Sequence, residues 1–150
     1  MYLILDQDLN PCGMLDLHGR GCKFYDDLRS TKIADDQGKI WADTLDISVP
    51  TGYRETAFMT YGYHLLKQGS DGYFYVYRIY NVEDDVIGPV HVKKAQCLNL
   101  LAWDLTHRVV PAKTMANVSS QNLFEYILQG SGWEVGKNYF YGGSYSFEFS

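Results

Sequence analysis

The chain has 150 residues, the length of one domain with room for a second small subdomain, and can bury roughly two thirds of its unfolded surface without a covalent staple. Hydrophobic residues make up 46% and charged residues 21%, which argues against disorder; the formal charge of −5, with no cluster of Lys and Arg, does not suit a phosphate-binding face and argues against a nucleic-acid partner. Thirteen Tyr beside seven Phe and three Trp point to half-buried strands and to a surface that faces a partner.

In chain order, Tyr2 to Leu5 reads as a strand. It is too short for a signal peptide or a membrane span and Asp6 follows at once, which predicts a chain made in the cytoplasm and not inserted in a membrane. Asp6 to Asn10, with Pro11 and Gly13, reads as a turn, and Cys12 to Leu17 as a returning strand. Lys23 to Tyr25 is a short strand candidate, and the polar stretch Ser30 to Lys39 reads as a loop. Trp41 to Val49 alternates, with Trp41, Asp43, Leu45, Ile47 and Val49 on one side. Asp43 breaks an otherwise apolar face.

Pro50-Thr51-Gly52 ends that strand, and Thr56 to Thr60 is compatible with a helical turn. Asp71-Gly72 separates Tyr63–Gln68 from Tyr73–Val82, a strong hairpin signal. The run Tyr73 to Tyr80 suits a central strand, buried on both faces or with Tyr lining one of them. Glu83 through Pro89 reads as a turn and Val90 to Lys94 as a third meander strand. Leu98, Leu101, Ala102 and Leu105 recur at helical spacing, which predicts a helix over Gln96 to Thr106. Val109-Val110-Pro111 reads as a strand exit. A second helix follows from Ser120 to Gln129, capped by Ser119 or Ser120 and stopped at Gly130. Tyr145 to Phe149 alternates as a last strand; with no closing element after it, the expectation is that the natural chain continues and that this is an N-terminal fragment.

The residue types that carry chemistry are present but dispersed. Cys97 with His64, His91 or His107 would make a thiol–imidazole pair, yet no turn exposes Cys97, and a packed thiol is the favoured reading. Cys12, Cys22 and Cys97 are odd in number and lack C-x-x-C spacing, which favours free thiols over disulfides or zinc. His18, His64, His91 and His107 show no metal-ligand spacing. Asp6, Asp8 and Asn10 open like a calcium loop, but Pro11 and Leu17 stand where Gly and Glu are required. Asp26-Asp27, Asp35-Asp36 and Asp84-Asp85 could be imagined as glycosidase carboxylates, but each pair reads as a solvated loop. Gly13, Gly19 and Gly21 do not make a phosphate loop, Asn117-Val118-Ser119 has no secretory signal to make it a glycan acceptor, and the stripe Tyr73 to Tyr80 reads as core and interface before it reads as a sugar platform. These readings leave no catalytic, metal or cofactor residue within residues 1–150.

The order of elements resembles the N-terminal region of phage minor structural proteins of the tail tip, the prophage tail endopeptidase or tail-associated lysin family. The resemblance is carried by Met1 to Asp6 with Asn10 and Gly13, by Asp43 to Pro50 against a strand of the form ETLTFTVP, and by Asp71-Gly72 to Glu83 against DGxxRLYxIxEVE. Asn99 to Leu101, Val109 to Pro111 and Gly132 to Gly136 complete it. Ala57 to Tyr63 departs from the charged helix usual in the family. The resemblance implies an α+β, β-dominated fold: a β-rich, barrel-like hub domain over residues 1–110 with two short helices, and over 111–150 a helix–strand unit that starts a second subdomain. It also implies a homotrimeric ring under the tail tube of the virion, assembled in the bacterial cytoplasm, with the distal tail protein and the tape measure protein as partners. The family's peptidase or lytic module lies further downstream, so no catalytic residue is implied here. The alternatives kept open are a contribution to cell-wall hydrolysis and a glycan-binding module.

Overall fold

A computed structural model describes residues 1–19, 21–34, 40–137 and 143–149. They form two compact units, Met1–Trp103 and Asp104–Ser150. The fold is dominated by antiparallel strands, and among the described residues no helix is long and apolar enough to cross a membrane.

The first unit is one seven-stranded sheet. Its strands are β1 (Tyr2–Leu5), β2 (Pro11–Leu15), β3 (Tyr25–Ala34), β4 (Ile40–Pro50), β5 (His64–Gln68), β6 (Phe74–Ile87) and β7 (Val90–Asn99). They lie in the order β2-β1-β5-β6-β7-β4-β3, and every neighbouring pair is antiparallel. A 3₁₀ turn, Arg54–Phe58, joins β4 to β5. The register puts one buried set on a common face: Leu15 opposite Tyr2, Ile4 opposite Leu65, Leu65 opposite Tyr77, and Ile79 and Leu45 each opposite Cys97. These residues, with Ile47, Val49, Met59 and Ala95, form a single core, and apolar area removed from water holds it together at about 25 cal/mol per Å2.

β2 and β3 are the edges of this sheet. They share no ladder among the described residues, so the sheet is not a closed barrel there. Its two ends nonetheless come near each other: Leu15 of β2 makes a lone bridge to Cys22, and the Tyr2 ring of β1 meets Phe24, just before β3, edge to face at 5.3 Å.

Several expected elements are corrected. The expected turn at Glu83–Pro89 is mostly strand, because β6 runs on to Ile87. An acidic triplet is a poor strand former alone, but Glu83 stands opposite Lys94 and Asp84 opposite Lys93, and Lys94 also pairs with Asp85. Ser30 to Ala34 belongs to β3 rather than a loop, a polar edge strand laddered on β4, while Asp35 to Lys39 lies outside the described residues. Gln96 to Asn99 extends β7 instead of starting a helix, since two flanking strands satisfy its backbone; α1 is only Leu100–Thr106. The hairpin at Asp71-Gly72 and the strand over Trp41–Val49 stand as expected.

In the second unit, β8 (Lys113–Val118) pairs with β9 (Tyr145–Phe149), and α2 (Ser120–Leu128) lies between them in sequence. The strand exit expected at Val109–Pro111 is not a strand; Val109 is exposed, and a further strand, β8, begins after Pro111. Ser119 Oγ accepts from Asn122 N–H at 3.2 Å and Gly130 takes φ +74, so both ends of α2 are closed as the sequence indicates.

Candidate functional site

The most unusual group in the core is the carboxylate that interrupts the apolar face of β4. Asp43 is only 1% exposed. Its side chain points the same way as Leu45 because β4 alternates, and its strand lies between β3 and β7. A buried carboxylate persists only if its lone pairs are met. Arg29 of β3 meets both oxygens as a fork, Nε to Oδ1 at 2.8 Å and Nη2 to Oδ2 at 2.9 Å. Thr31 Oγ1 donates at 3.3 Å, Tyr77 Oη of β6 at 3.1 Å and Asn99 Nδ2 of β7 at 3.3 Å. Four strands therefore converge on one side chain.

A shell surrounds this cluster. Asn99 Oδ1 accepts from Leu101 N–H at 3.1 Å at the start of α1. The Arg29 guanidinium lies 4.3 Å from the centre of the Tyr75 ring, and Tyr75 donates its hydroxyl to Asp71. The hydrogen bond to Asp43 raises the Arg29 pKa above its ordinary value. Burial, then the Asp43 charge, pushes the Tyr77 hydroxyl up.

A second polar group faces the same interior. Lys67, opposite Tyr75 in the ladder, donates to Tyr2 Oη at 2.9 Å and lies 4.9 Å from that ring's centre. Tyr2 Oη donates to Asp27 Oδ2 at 3.0 Å, and Lys67 Nζ is 3.5 Å from the same oxygen. Burial first, then Asp27, raises the Tyr2 hydroxyl. Acid–base work needs a group poised near the working pH with a free lone pair. In this cluster the tyrosines stay protonated and the Asp43 lone pairs are occupied. The geometry clamps edge strand β3 onto β4, β6 and β7.

The residues considered from sequence are not gathered around these groups. Cys97 is fully buried between Leu45 and Ile79, and burial drives its thiol pKa far up, away from the thiolate that a nucleophile requires. Cys22 is likewise pushed up to about 11, and Cys12 lies half-buried with its thiol on the Ile4 carbonyl. His64 sits against the Asp6 carbonyl at 3.0 Å, His91 is in the β7 end of the β6–β7 hairpin, His107 contacts Thr106, and His18 is exposed in a loop. Among the described residues no three His, Cys, Asp or Glu side chains are placed to hold a metal ion. Asp6 closes its turn by accepting from the N–H groups of Asp8 and Asn10, and the Asn10 bond leads in lowering its pKa. Asp26-Asp27 and Asp84-Asp85 are strand residues of β3 and β6 rather than loop residues, and Asp35-Asp36 lies outside the described residues. Along Tyr73–Tyr80, Tyr77 is buried, Tyr75 half-buried, and Tyr73 and Tyr80 exposed.

Sequence reasoning marked Asp43 as out of place but missed Arg29, Thr31 and Asn99. The signal was the carboxylate itself: a buried Asp demands donors, and Arg29 sat unassigned between two strand candidates. Clefts on the described surface include one of about 260 Å3 lined by Met1, Leu3, Leu66, Gln68 and Phe74, and two more. One, of about 360 Å3, lies on the sheet's outer face among Asp26, Asp46, Glu83 and Lys94; the other, of about 250 Å3, is lined by Trp133, Glu125 and Glu134. No protein-family model matches the chain, and no match is found among the curated proteins.

Proposed function

We propose that this chain is a structural subunit of a phage or prophage tail tip, a baseplate-hub element whose sheet forms one barrel-like sector of a homotrimeric ring. On this reading the ring closes the tail tube, contacts the distal tail protein and the tape measure protein, and carries host-facing modules; residues 1–150 contribute no catalysis. The chain would work at the virion tail tip after assembly in the bacterial cytoplasm.

The observation that carries the reading is that three of the segments resembling the tail-tip family fall on one sheet: the opening hairpin is β1–β2, Asp43–Pro50 lies in β4, and Asp71–Glu83 covers the β5–β6 turn and most of β6; Asn99–Leu101 runs from β7 into α1, and Val109–Pro111 and Gly132–Gly136 lie outside the strands. A scaffold is also what the Asp43 clamp suits, since it fixes four strands and leaves no group poised to react. The same sheet exposes Met1 at 67%, Phe74 at 66% and Tyr73 at 64%, apolar surface that a subunit contact would cover.

Light scattering after size exclusion tests this, applied to the chain and to the complete gene product that contains it. A trimer is expected for the complete product. A strictly monomeric product would refute the ring, and cell-wall hydrolysis by residues 1–150 would refute the scaffold role.

A further inference from the structure

β6 has two lives. It is laddered on β5 from Phe74 to Arg78 and on β7 from Tyr77 onward, so both of its sides are paired at Tyr77 and Arg78. A bulge between Ile79 and Asn81 ends that arrangement, and from Asn81 to Ile87 the strand pairs with β7 alone among the described residues. This stretch keeps one edge of backbone N–H and C=O groups without a neighbouring strand. Such an edge is a template for an added strand.

The side chains on the arm select what can be added. Glu83, Asp84 and Asp85 are consecutive and exposed, and Val86 and Ile87 beyond them are 53% and 39% exposed. Asp85 pairs with Lys94, and Lys93, the other cation opposite the triplet, reaches inward to the Thr56 carbonyl at 3.5 Å. Glu83 accepts from Asn81 Nδ2 and, with Lys94, lines the outer-face cleft, whose other acids, Asp46 of β4 and Asp26 of β3, lie beyond β7 and away from the open edge. Glu83 and Asp84 point to opposite faces of the arm, so an added strand meets an acid on either face. A second copy paired antiparallel about Asp84 would set Asp84 against Asp84 and Glu83 against Asp85, and directly opposed like charges destabilise a sheet.

We propose that Asn81–Ile87 is a docking edge for an extended, basic segment of another protein, which adds as a strand beside β6 and places Lys or Arg side chains against Glu83 on one face and Asp84 on the other. The same acids that repel a second copy attract this partner, so one charge pattern both protects the edge and selects its occupant.

The test uses the full chain and three seven-residue peptides that alternate Val with Lys, Thr or Glu. Backbone amide shifts and hydrogen exchange are followed at low salt. The Lys peptide is expected to bind about tenfold more tightly than the Thr peptide and to protect amides within Asn81–Ile87, with binding weakened by salt and by the pair Glu83→Gln, Asp84→Asn. These two side chains are exposed, and Asp85 is kept so that the Lys94 pair still holds the hairpin. Binding of the Glu peptide as tight as that of the Lys peptide would overturn the proposal, as would protection confined to other strands. Binding of none of the three would show that the acids serve only to keep the edge unpaired. Concentration-dependent protection of Asn81–Ile87 without peptide would make a second copy the occupant and equally overturn it.

Discussion

Replacing Asp43 by Asn keeps the volume and one acceptor oxygen but removes the charge and turns an NH2 group toward donors. Tyr77 and Asn99, 1% and 8% exposed, then compete for one oxygen in a site water does not enter. A buried donor left unmet costs about 1–3 kcal/mol, and breaking a buried ion pair costs about 3–5 kcal/mol. Arg29 discounts the second figure: its side chain is 37% exposed, so water rehydrates part of its charge. The net expectation is a loss of about 3 kcal/mol, a large share of the roughly 5–15 kcal/mol that holds a domain together. In a chain of this size that corresponds to a melting point lower by roughly 6–12 °C. Urea unfolding followed by circular dichroism measures it, with Asp46→Asn as the control: Asp46 is exposed on the opposite face of the same strand, and its substitution should change stability by less than about 0.5 kcal/mol. A loss below about 1 kcal/mol for Asp43→Asn, with the urea slope unchanged, would refute the view that the clamp organises the sheet.

The thiols should react in order of access. Under native conditions Cys12 is expected to react first with a disulfide reagent, while Cys22 and Cys97 wait for unfolding; rapid native labelling of Cys97 would place it outside the core described here. The tyrosines give a signed alkaline effect. Tyr2 and Tyr77 have folded pKa values raised above the ordinary 10.0, so the folded state holds protons that the unfolded state releases. Their contribution is therefore complete below about pH 10 and is lost as pH rises beyond it, and Tyr absorbance should show two groups that ionise only on unfolding. Gly130→Ala forces a Cβ onto a backbone at φ +74, and although the nearest atom, Arg108 Nη2, leaves space at 3.7 Å, the left-handed conformation should cost about 1 kcal/mol in thermal unfolding; no change would mean that the α2 terminus adopts another conformation.

How far the sequence could be read depends on which force set each element. Where burial alternates, as over Asp43–Ile47, or where Asp71-Gly72 dictates a turn, local pattern and tertiary structure agree. The misreadings sit where pairing overrides pattern. Leu98, Leu101 and Ala102 mimic a helix, yet Leu98 is claimed by Thr44 on one side and Arg78 on the other. Glu83 to Asp85 reads as a turn because its lysine partners lie about ten residues on, and Ser30 to Ala34 reads as a loop because its sequence lacks an apolar alternation that would announce a strand. The clamp was half legible for the same reason. An isolated Asp on an apolar face signals a required partner, but the partner's identity is a long-range fact of register, and Arg29 reaches Asp43 only because the β3–β4 ladder sets Thr31 opposite that residue.

The bulge in β6 divides cooperative structure from local structure, and amide exchange should reveal the division. Tyr75 to Arg78 ladder on β5, and Tyr77 to Ile79 ladder on β7 and contribute two fully packed side chains. Their amides can open only when the sheet's centre opens, so their exchange should report the global unfolding free energy. Past the bulge, Glu83 to Ile87 have exposed side chains and form an outer strand with one partner, β7, which is itself laddered on β4 up to Val92. Those amides should exchange by fraying, faster by at least about 100-fold, with little dependence on dilute urea. The Asp85–Lys94 pair is a link that should slow this, and removing it with Lys94→Met should speed exchange in the arm while leaving Tyr77 and Ile79 unchanged. Equal protection on both sides of the bulge would mean that the arm is already held along its second edge, and that the sheet of this chain is larger than its seven strands.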